Sequence, residues 1–314
     1  MDGILNINKP GGMTSFAVVA YVKRVTGEKH AGHAGTLDPL ATGVLPVCLG
    51  QATRIIEFLF DQRKTYLAEI ELGISTDTYD ATGTLVSQVD ASHVTRELLT
   101  AALAAFRGDI QQTPPMFSAV KFHGKPLYRL ARSGVEVERR SRVAHVFSLE
   151  VTGWHPPLLN LEIECGKGTY VRSIAHDLGQ QLGCGAYLKG LVRQKVGPLA
   201  LVEAISLPDL AEAFRREDGG KHLYPLDHVL QSYPAVVFDT EHSRFLLQGK
   251  PVALTDSLPA ARGDAGHTVW RAYRAGGSFL GMVGFDGVTQ TCKPLKMFLK
   301  SSGLQIQEGK RNDP

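Results

Sequence analysis

Gly32-His33-Ala34-Gly35-Thr36-Leu37-Asp38-Pro39-Leu40-Ala41-Thr42-Gly43 places one carboxylate in a loop with three glycines and sets a histidine five residues before it. Glycine lets the backbone turn tightly and lets a ligand approach closely. Pro39 disfavours helix at Asp38 and leaves it extended. The acid is therefore displayed at the edge of a loop rather than on a helix face. An aspartate in such a turn often bonds its own backbone, so the loop alone leaves both a structural and a chemical use open.

Working outward toward the N-terminus, Ile4 to Asn8 reads as a short strand ended by Lys9-Pro10-Gly11-Gly12. Thr14 and Ser15 are good N-caps for a helix through Val25, with Gly27 as its stop. Toward the C-terminus, Val44 to Leu49 is a buried-type apolar run and Ala52 to Phe60 has a helical pattern. From Thr65 to Leu72 the sequence alternates: Tyr66, Ala68, Ile70 and Leu72 share one face, Glu69 and Glu71 the other. That is the pattern of a half-buried strand, and Leu85 to Val89 is a candidate to pair with it. Thr95 caps a helix through Phe106, followed by Gly108. Val146 to Trp154 and Leu158 to Cys165 predict strands, and Gly166-Lys167-Gly168 a turn. Thr169 is then expected to cap a helix through Leu182 that ends at Gly183, which puts Arg172 in its first turn.

Composition shifts near Asp218-Gly219-Gly220. Beyond Pro234 the chain reads as short strands, Val236 to Phe238, Thr268 to Tyr273, Phe279 to Phe285 and Leu295 to Leu299, so a small all-β domain is expected. The last dozen residues are polar and expected to fray.

With 314 residues, 43% hydrophobic and 21% charged, the chain is long enough for a sizeable core and two domains. No apolar run approaches the roughly 20 residues that span a bilayer, and the N-terminus lacks the pattern of a signal peptide. Cys48, Cys165, Cys184 and Cys292 are widely spaced with no Cys-x-x-Cys pair, which fits reduced thiols in a cytoplasmic protein rather than a disulfide frame or zinc site. Of the 11 histidines only His30 and His33 are close neighbours, a poor metal signal. Gly166-Lys167-Gly168-Thr169 is only a fragment of a phosphate loop, so nucleoside triphosphate binding is not expected.

Net charge is +3, but its distribution is uneven. Between Lys121 and Arg142 seven basic residues (Lys121, Lys125, Arg129, Arg132, Arg139, Arg140, Arg142) stand against Glu136 and Glu138. Phe122 and Tyr128 lie among them, and Phe117 just before them. Aromatic side chains interleaved with lysine and arginine suit RNA, where bases stack and phosphates pair.

The chemistry-bearing candidates are Asp38, Tyr66, Tyr170 and Arg172. A carboxylate nucleophile is served by an arginine that keeps it ionised and oriented, and such a pair lowers the acid's pKa. A tyrosine on a strand face can stack on a base and carry a phenol for proton transfer. Spacing alone does not bring these residues together.

Four ordered motifs resemble those of the bacterial tRNA pseudouridine-55 synthases, the TruB family. They are Asn8-Lys9-Pro10-x-Gly12-x-Thr14-Ser15, the Gly32–Gly43 loop, Lys64-Thr65-Tyr66 and Gly168-Thr169-Tyr170-Val171-Arg172-Ser173. The resemblance runs over nearly the whole chain. It implies an α+β catalytic domain (1–231) around a mainly antiparallel mixed sheet, with a basic RNA-closing insertion at about 116–142. It implies too a small β-rich PUA-type RNA-binding domain (232–314), in which Ala261 to His267 would be a lengthened loop. The implied reaction isomerises uridine 55 in the T-loop of tRNA: the N-glycosidic bond breaks, the uracil turns while held, and C5 rejoins the ribose. The implied requirements are no cofactor, no metal, a tRNA T-arm as partner, no membrane, and a monomeric chain.

By the same resemblance Asp38 is the nucleophile, attacking either the uracil ring or the ribose carbon. Arg172 pairs with it and holds it charged. Tyr66 stacks on the base near the C5 proton, Tyr170 lines the pocket, and Lys9 and Leu191 support the site and pack beneath the base. His33 fills the space vacated by the flipped base, and the seven basic residues from Lys121 to Arg142 bind RNA. One alternative is a tRNA-binding or RNA-chaperone protein without catalysis. A glycosidase, the other, would want a second carboxyl group as acid or base, and no acidic residue stands out beside Asp38.

Overall fold

The structure is a computed structural model that describes residues 1–254 and 268–298. The lengthened loop Ala261 to His267, the last dozen residues and the end of the expected Leu295 to Leu299 strand lie outside the described residues. Contacts divide the chain into a unit spanning Gly3–Val229 and a second unit from Leu230 onward.

In the first unit the chain runs β1 (Gly3–Lys9), α1 (Ser15–Thr26), β2 (Ala31–His33), β3 (Thr42–Leu49), α2 (Ile56–Phe60), β4 (Lys64–Leu72), β5 (Ile74–Thr76) and β6 (Leu85–Gln88). It continues with α3 (Arg96–Leu103), β7 (Gly108–Gln112), β8 (Lys121–Phe122), β9 (Lys125–Pro126), α4 (Leu127–Arg132), β10 (Arg142–His155) and β11 (Leu158–Cys165). Then come α5 (Val171–Gln181), β12 (Ala186–Val196), β13 (Leu199–Ala200), α6 (Leu207–Arg215) and β14 (Leu223–Tyr224). The main sheet has ten strands in the path β14-β1-β3-β12-β4-β11-β10-β7, with β2 on β3 and β13 on β12. Only β3 and β12 pair in parallel; the other pairings are antiparallel.

The period-two pattern of β4 is realised as expected. Tyr66, Ala68, Ile70 and Leu72 are all buried and join one core with Leu5, Ile7, Leu161, Ile163, Ile174 and Leu178. A fully buried aliphatic side chain contributes about 1.5–3 kcal/mol relative to exposure, so this shared face holds the middle of the sheet together. Thr14 caps α1 by accepting from the Ala17 N–H at 3.0 Å, and Gly27 ends it in the left-handed region at φ 69°.

Three local expectations are corrected. Leu85 to Val89 does not pair with β4; β6 pairs with β5 in a separate two-stranded sheet. Gly73, at φ 88°, turns the chain out of the main sheet between β4 and β5. Ala52 to Phe60 is split into a 3-10 turn over Gly50–Ile55 and the short α2. Thr169 does not cap α5: the N-cap is Tyr170, and the Thr169 hydroxyl donates to the Gly166 carbonyl at 3.2 Å.

The second unit holds β15 (Ala235–Phe238), α7 (Thr240–Leu247), β16 (Val252–Ala253), β17 (Val269–Arg274), β18 (Phe279–Asp286) and β19 (Thr291–Met297). Its sheet order is β15-β17-β18-β19-β16, a curled β domain with its own core around Phe238, Leu246, Trp270 and Val283. It is not all β: Asp239 accepts from the His242 N–H and caps α7, whose Leu246 enters that core. All four cysteines are free and buried. No described helix is long and apolar enough to cross a membrane.

Candidate active site

The Asp38 loop is tied down on both sides of the aspartate by the segment that follows β1. The Ser15 hydroxyl donates to the Leu37 carbonyl at 2.9 Å and accepts from the Leu37 N–H at 2.8 Å. The Pro39 carbonyl accepts from the Gly12 N–H at 2.8 Å and from Lys9 Nζ at 3.3 Å. Lys9 is fully buried and also donates to the carbonyls of Pro10 and Met13. Burial pushes its ammonium down to about 8, against the pull of Asp38, with Arg193 adding to the fall. The Lys9 and Ser15 motif and the Asp38 motif are therefore one structural object, though more than twenty residues of chain separate Ser15 from Asp38.

Gly43 shows why its motif position holds glycine. Its φ is 98°, and a Cβ built there would stand 2.3 Å from the Arg193 carbonyl oxygen. The residue sits at the parallel pairing of β3 with β12, opposite Arg193. A side chain would be strained in the backbone and would separate the two strands at the floor of the site.

Asp38 Oδ2 lies 2.9 Å from Arg172 Nε, with 36% of the Asp38 side chain exposed and 5% of the Arg172 side chain. The carboxylate forms an ion pair with an arginine from a distant helix. Arg172 is further held by the carbonyls of Thr78 at 3.2 Å and Phe117 at 3.0 Å. A second carboxylate, Asp80, approaches the same Nε at 3.7 Å. Asp80 is buried and accepts from the hydroxyls of Thr78 at 2.8 Å and Thr82 at 2.6 Å.

The net effect on Asp38 differs from the expectation of a lowered pKa. Burial pushes its carboxyl above the ordinary value; Arg172 opposes this, Asp80 adds to it, and Lys9 pulls weakly down. An arginine shared with a second carboxylate cannot fully offset the loss of water around the first.

Asp38, Tyr66, Tyr170, Arg172 and Leu191 all line one cleft of about 300 Å³, at the lower end of the size range for small-ligand sites. β4 supplies Tyr66 and β12 supplies Leu191. Tyr170 stands at the start of α5, where its backbone exchanges two hydrogen bonds with the Gln112 amide, 3.0 and 3.1 Å. Burial raises both phenols, and Arg193 opposes the rise at Tyr66. His33 lies at the end of β2 outside the lining set, with Nδ1 buried and unpartnered. Burial and then Arg193 lower its pKa, which favours the neutral ring.

The basic segment begins at the cleft wall. Ser118 and Ala119 line the cleft, and the Phe117 carbonyl holds Arg172. Beyond that point Lys121, Lys125, Arg129, Arg132, Arg140 and Arg142 are exposed. Arg139 is the exception: it donates to the Pro114 carbonyl at 3.0 Å and lies 3.9 Å from Glu136, so it fastens the base of the segment.

Two residues escaped the sequence argument. Asp80 sits among Asp77, Thr78, Thr82 and Gly83, a composition that reads as a solvated turn. Arg193 carried a better signal: it occupies a buried register position of β12, between the buried Leu191 and Val196.

The TruB family pseudouridylate synthase N-terminal domain model matches residues 23–171, and the tRNA pseudouridylate synthase B C-terminal domain model matches residues 172–237. The chain belongs to the TruB family. A tRNA pseudouridine synthase B of Dehalococcoides mccartyi is 46% identical over 304 residues, 96% of this chain and 98% of that one. One from Clostridium kluyveri is 38% identical over 282 residues, 90% of this chain and 95% of that one. Among solved structures, a Cbf5-Nop10-Gar1 complex contains a chain 25% identical with a TM-score of 0.74, covering 95% of this chain and 84% of that one. The α+β sheet described above is thus the pseudouridine synthase fold of this TruB family member.

Proposed function

We propose that the protein isomerises uridine 55 in the T-loop of tRNA to pseudouridine, with Asp38 as the nucleophile, and works as a cytoplasmic monomer without a cofactor. Family membership supports tRNA uridine isomerisation, and the relatives of high coverage carry the name tRNA pseudouridine synthase B. The observation that carries the assignment of roles is the Asp38–Arg172 pair at 2.9 Å in a cleft shared with Tyr66, Tyr170 and Leu191.

In this reading the target base leaves the loop stack, at a cost of a few kcal/mol, and enters the cleft. Tyr66 and Leu191 sandwich it, Tyr170 closes one wall, and neutral His33 takes the vacated place in the RNA. Arg172 aims the Asp38 carboxylate, and Lys9 and Ser15 fix the loop that carries it. Asp80 steadies Arg172. Lys121, Lys125, Arg129, Arg132, Arg140 and Arg142 set affinity through phosphates, which position the RNA without reading its sequence, and Arg139 anchors their segment. The small β domain from about residue 232 is a second, PUA-type RNA contact.

An unmodified tRNA transcript incubated with wild type and with Asp38→Asn tests the reading. Pseudouridine mapped by carbodiimide labelling and primer extension should give one new stop, in the T-loop, with wild type alone. Turnover by Asp38→Asn would refute the nucleophile. Tight binding with no stop for wild type would leave an RNA-binding protein without this activity.

A further inference from the structure

Arg193 is the largest side chain that the fold buries completely, at 1% exposure. Its Nε donates to the Val44 carbonyl at 2.6 Å and its Nη2 to the Gly35 carbonyl at 3.1 Å. Among the described residues no carboxylate forms an ion pair with it, in contrast to Arg172, which has two near it. A buried cation with only neutral partners is costly. It lines the active cleft, and in the β4–β12 register it stands directly opposite Tyr66. Its other cationic or titratable neighbours, Lys9, His33 and Lys64, supply no negative charge. Burial lowers the pKa of all three, and Arg193 itself adds to each fall.

We infer that Arg193 is a positioning residue whose missing counter-ion is the Tyr66 phenolate, formed during the reaction so that Tyr66 can take the proton from C5 of the rotated uracil. The inference deepens the function proposed above and rests on it. The proton balance closes. Tyr66 releases its phenol proton to solvent as its oxygen pairs with the guanidinium. The phenolate then accepts the C5 proton, and the C–H electron pair returns to the ring. N1, which lost its bond to the ribose, gains a proton from solvent, and Tyr66 returns its new proton to solvent before the next turnover.

The surroundings of Tyr66 agree. Burial opposes ionisation of the phenol, and the charge and hydrogen bond of Arg193 are the largest influences in its favour. Asp38, from its loop, acts against the phenolate, and Cys165, from β11, would do so only as a thiolate. Burial pushes the Cys165 thiol up to about 11, so it stays neutral. Arg193 is thus the main group favouring the charge this step requires, and it stands opposite Tyr66 in the sheet register.

The test measures single-turnover release of tritium from tRNA labelled at uridine C5, across pH, for the full chain. Arg193→Lys should bind tRNA as wild type does yet release tritium about 10²-fold more slowly near neutral pH, the low end of what a general base contributes. Losing the guanidinium raises the phenol pKa, so the lost rate should return as pH rises. Tyr66→Phe should be slow at every pH, and Tyr66→Phe combined with Arg193→Lys no slower than Tyr66→Phe alone. Multiplying losses in the double variant, or an Arg193→Lys deficit equal at every pH, would overturn the inference and leave the Asp38 assignment standing. A fast Tyr66→Phe would instead remove the role proposed for Tyr66 itself. If Arg193→Lys does not fold, 3-fluorotyrosine at position 66 in the otherwise native chain decides. Its more acidic phenol should shift the rising limb to lower pH, and an unshifted profile overturns the inference.

Discussion

The Asp38 loop and the basic segment from Lys121 to Arg142 belong to one unit and meet at the cleft wall, yet they are built oppositely. The loop is fastened at Leu37 by both bonds of Ser15, at Pro39 by Gly12 and Lys9, and at Asp38 by Arg172. Along residues 116–142 only Ser118 and Leu127 are buried, and β8 and β9 are two residues each. Few buried contacts leave a segment free to open at low cost. In the proposed function the chemistry needs a carboxylate fixed to a fraction of an ångström, whereas a segment proposed to close over RNA needs cations that can adapt. The bridge between the two is the Phe117 carbonyl on Arg172.

The largest effect that sharpens this contrast is expected from Arg172→Met. It would leave two carboxylates facing each other with their shared cation gone. Breaking a buried pair in this way costs about 3–5 kcal/mol, and the lower end applies because Asp38 keeps 36% of its side chain exposed. Urea unfolding of the variant measures the loss, and activity should fall together with it. A variant as stable as wild type would mean that Arg172 does not tie the loop to the segment. Gly43→Ala comes next, at about 1–3 kcal/mol from backbone strain, with further cost if β3 and β12 separate. Activity should drop in this variant while the salt dependence of tRNA binding stays unchanged, since none of the residues proposed to bind phosphate moves.

Much of the site was legible in sequence because its residues lie within dense local motifs: Asp38 between Gly35 and Gly43, Tyr66 on an alternating strand, Arg172 at a helix start. The strands of the sheet were legible for the same reason, since period-two burial is written directly into β4 and β11. What was hidden acts through space. Asp80 reaches Arg172 from a turn whose polar residues bond one another, and Ser15 serves Leu37 rather than only its own helix. The partner of Leu85 to Val89 was misjudged because alternation predicts a strand but not which neighbour it meets, and Gly73 had already turned the chain away. The pKa of Asp38 moves opposite to the direction that pairing with Arg172 predicts, because a pairing argument counts partners and leaves out the water removed around them.

A smaller effect follows from that sign. A carboxyl raised by burial is protonated as pH falls through its raised value, so the ionised carboxylate that the proposed reaction requires is lost at a higher pH than the ordinary aspartate value of about 3.9. The acid limb of single-turnover rate should lie above that value. Asp80→Asn removes one of the charges that raise it, and the limb should move toward lower pH. The rate itself should also fall, because Arg172 loses a partner that steadies it. An acid limb that stays in place would show that burial alone sets the ionisation of Asp38.

The smallest effects per residue belong to the basic segment, and they test the other half of the contrast. Arg129 and Arg132 are exposed on α4 and have no carboxylate partner among the described residues. Removing one phosphate-binding cation should reduce the slope of log affinity against log salt by about 0.7–0.9. Arg129→Ala and Arg132→Ala should therefore weaken tRNA binding at low salt, flatten the slope, and leave the rate at saturating tRNA close to wild type. Arg139→Ala should behave differently. Its guanidinium holds the Pro114 carbonyl instead of facing solvent, so its loss should loosen the segment and lower the saturated rate with little change in salt slope. If all three variants shifted affinity and slope alike, the segment would be a uniform charged surface and not a hinged one anchored at Arg139.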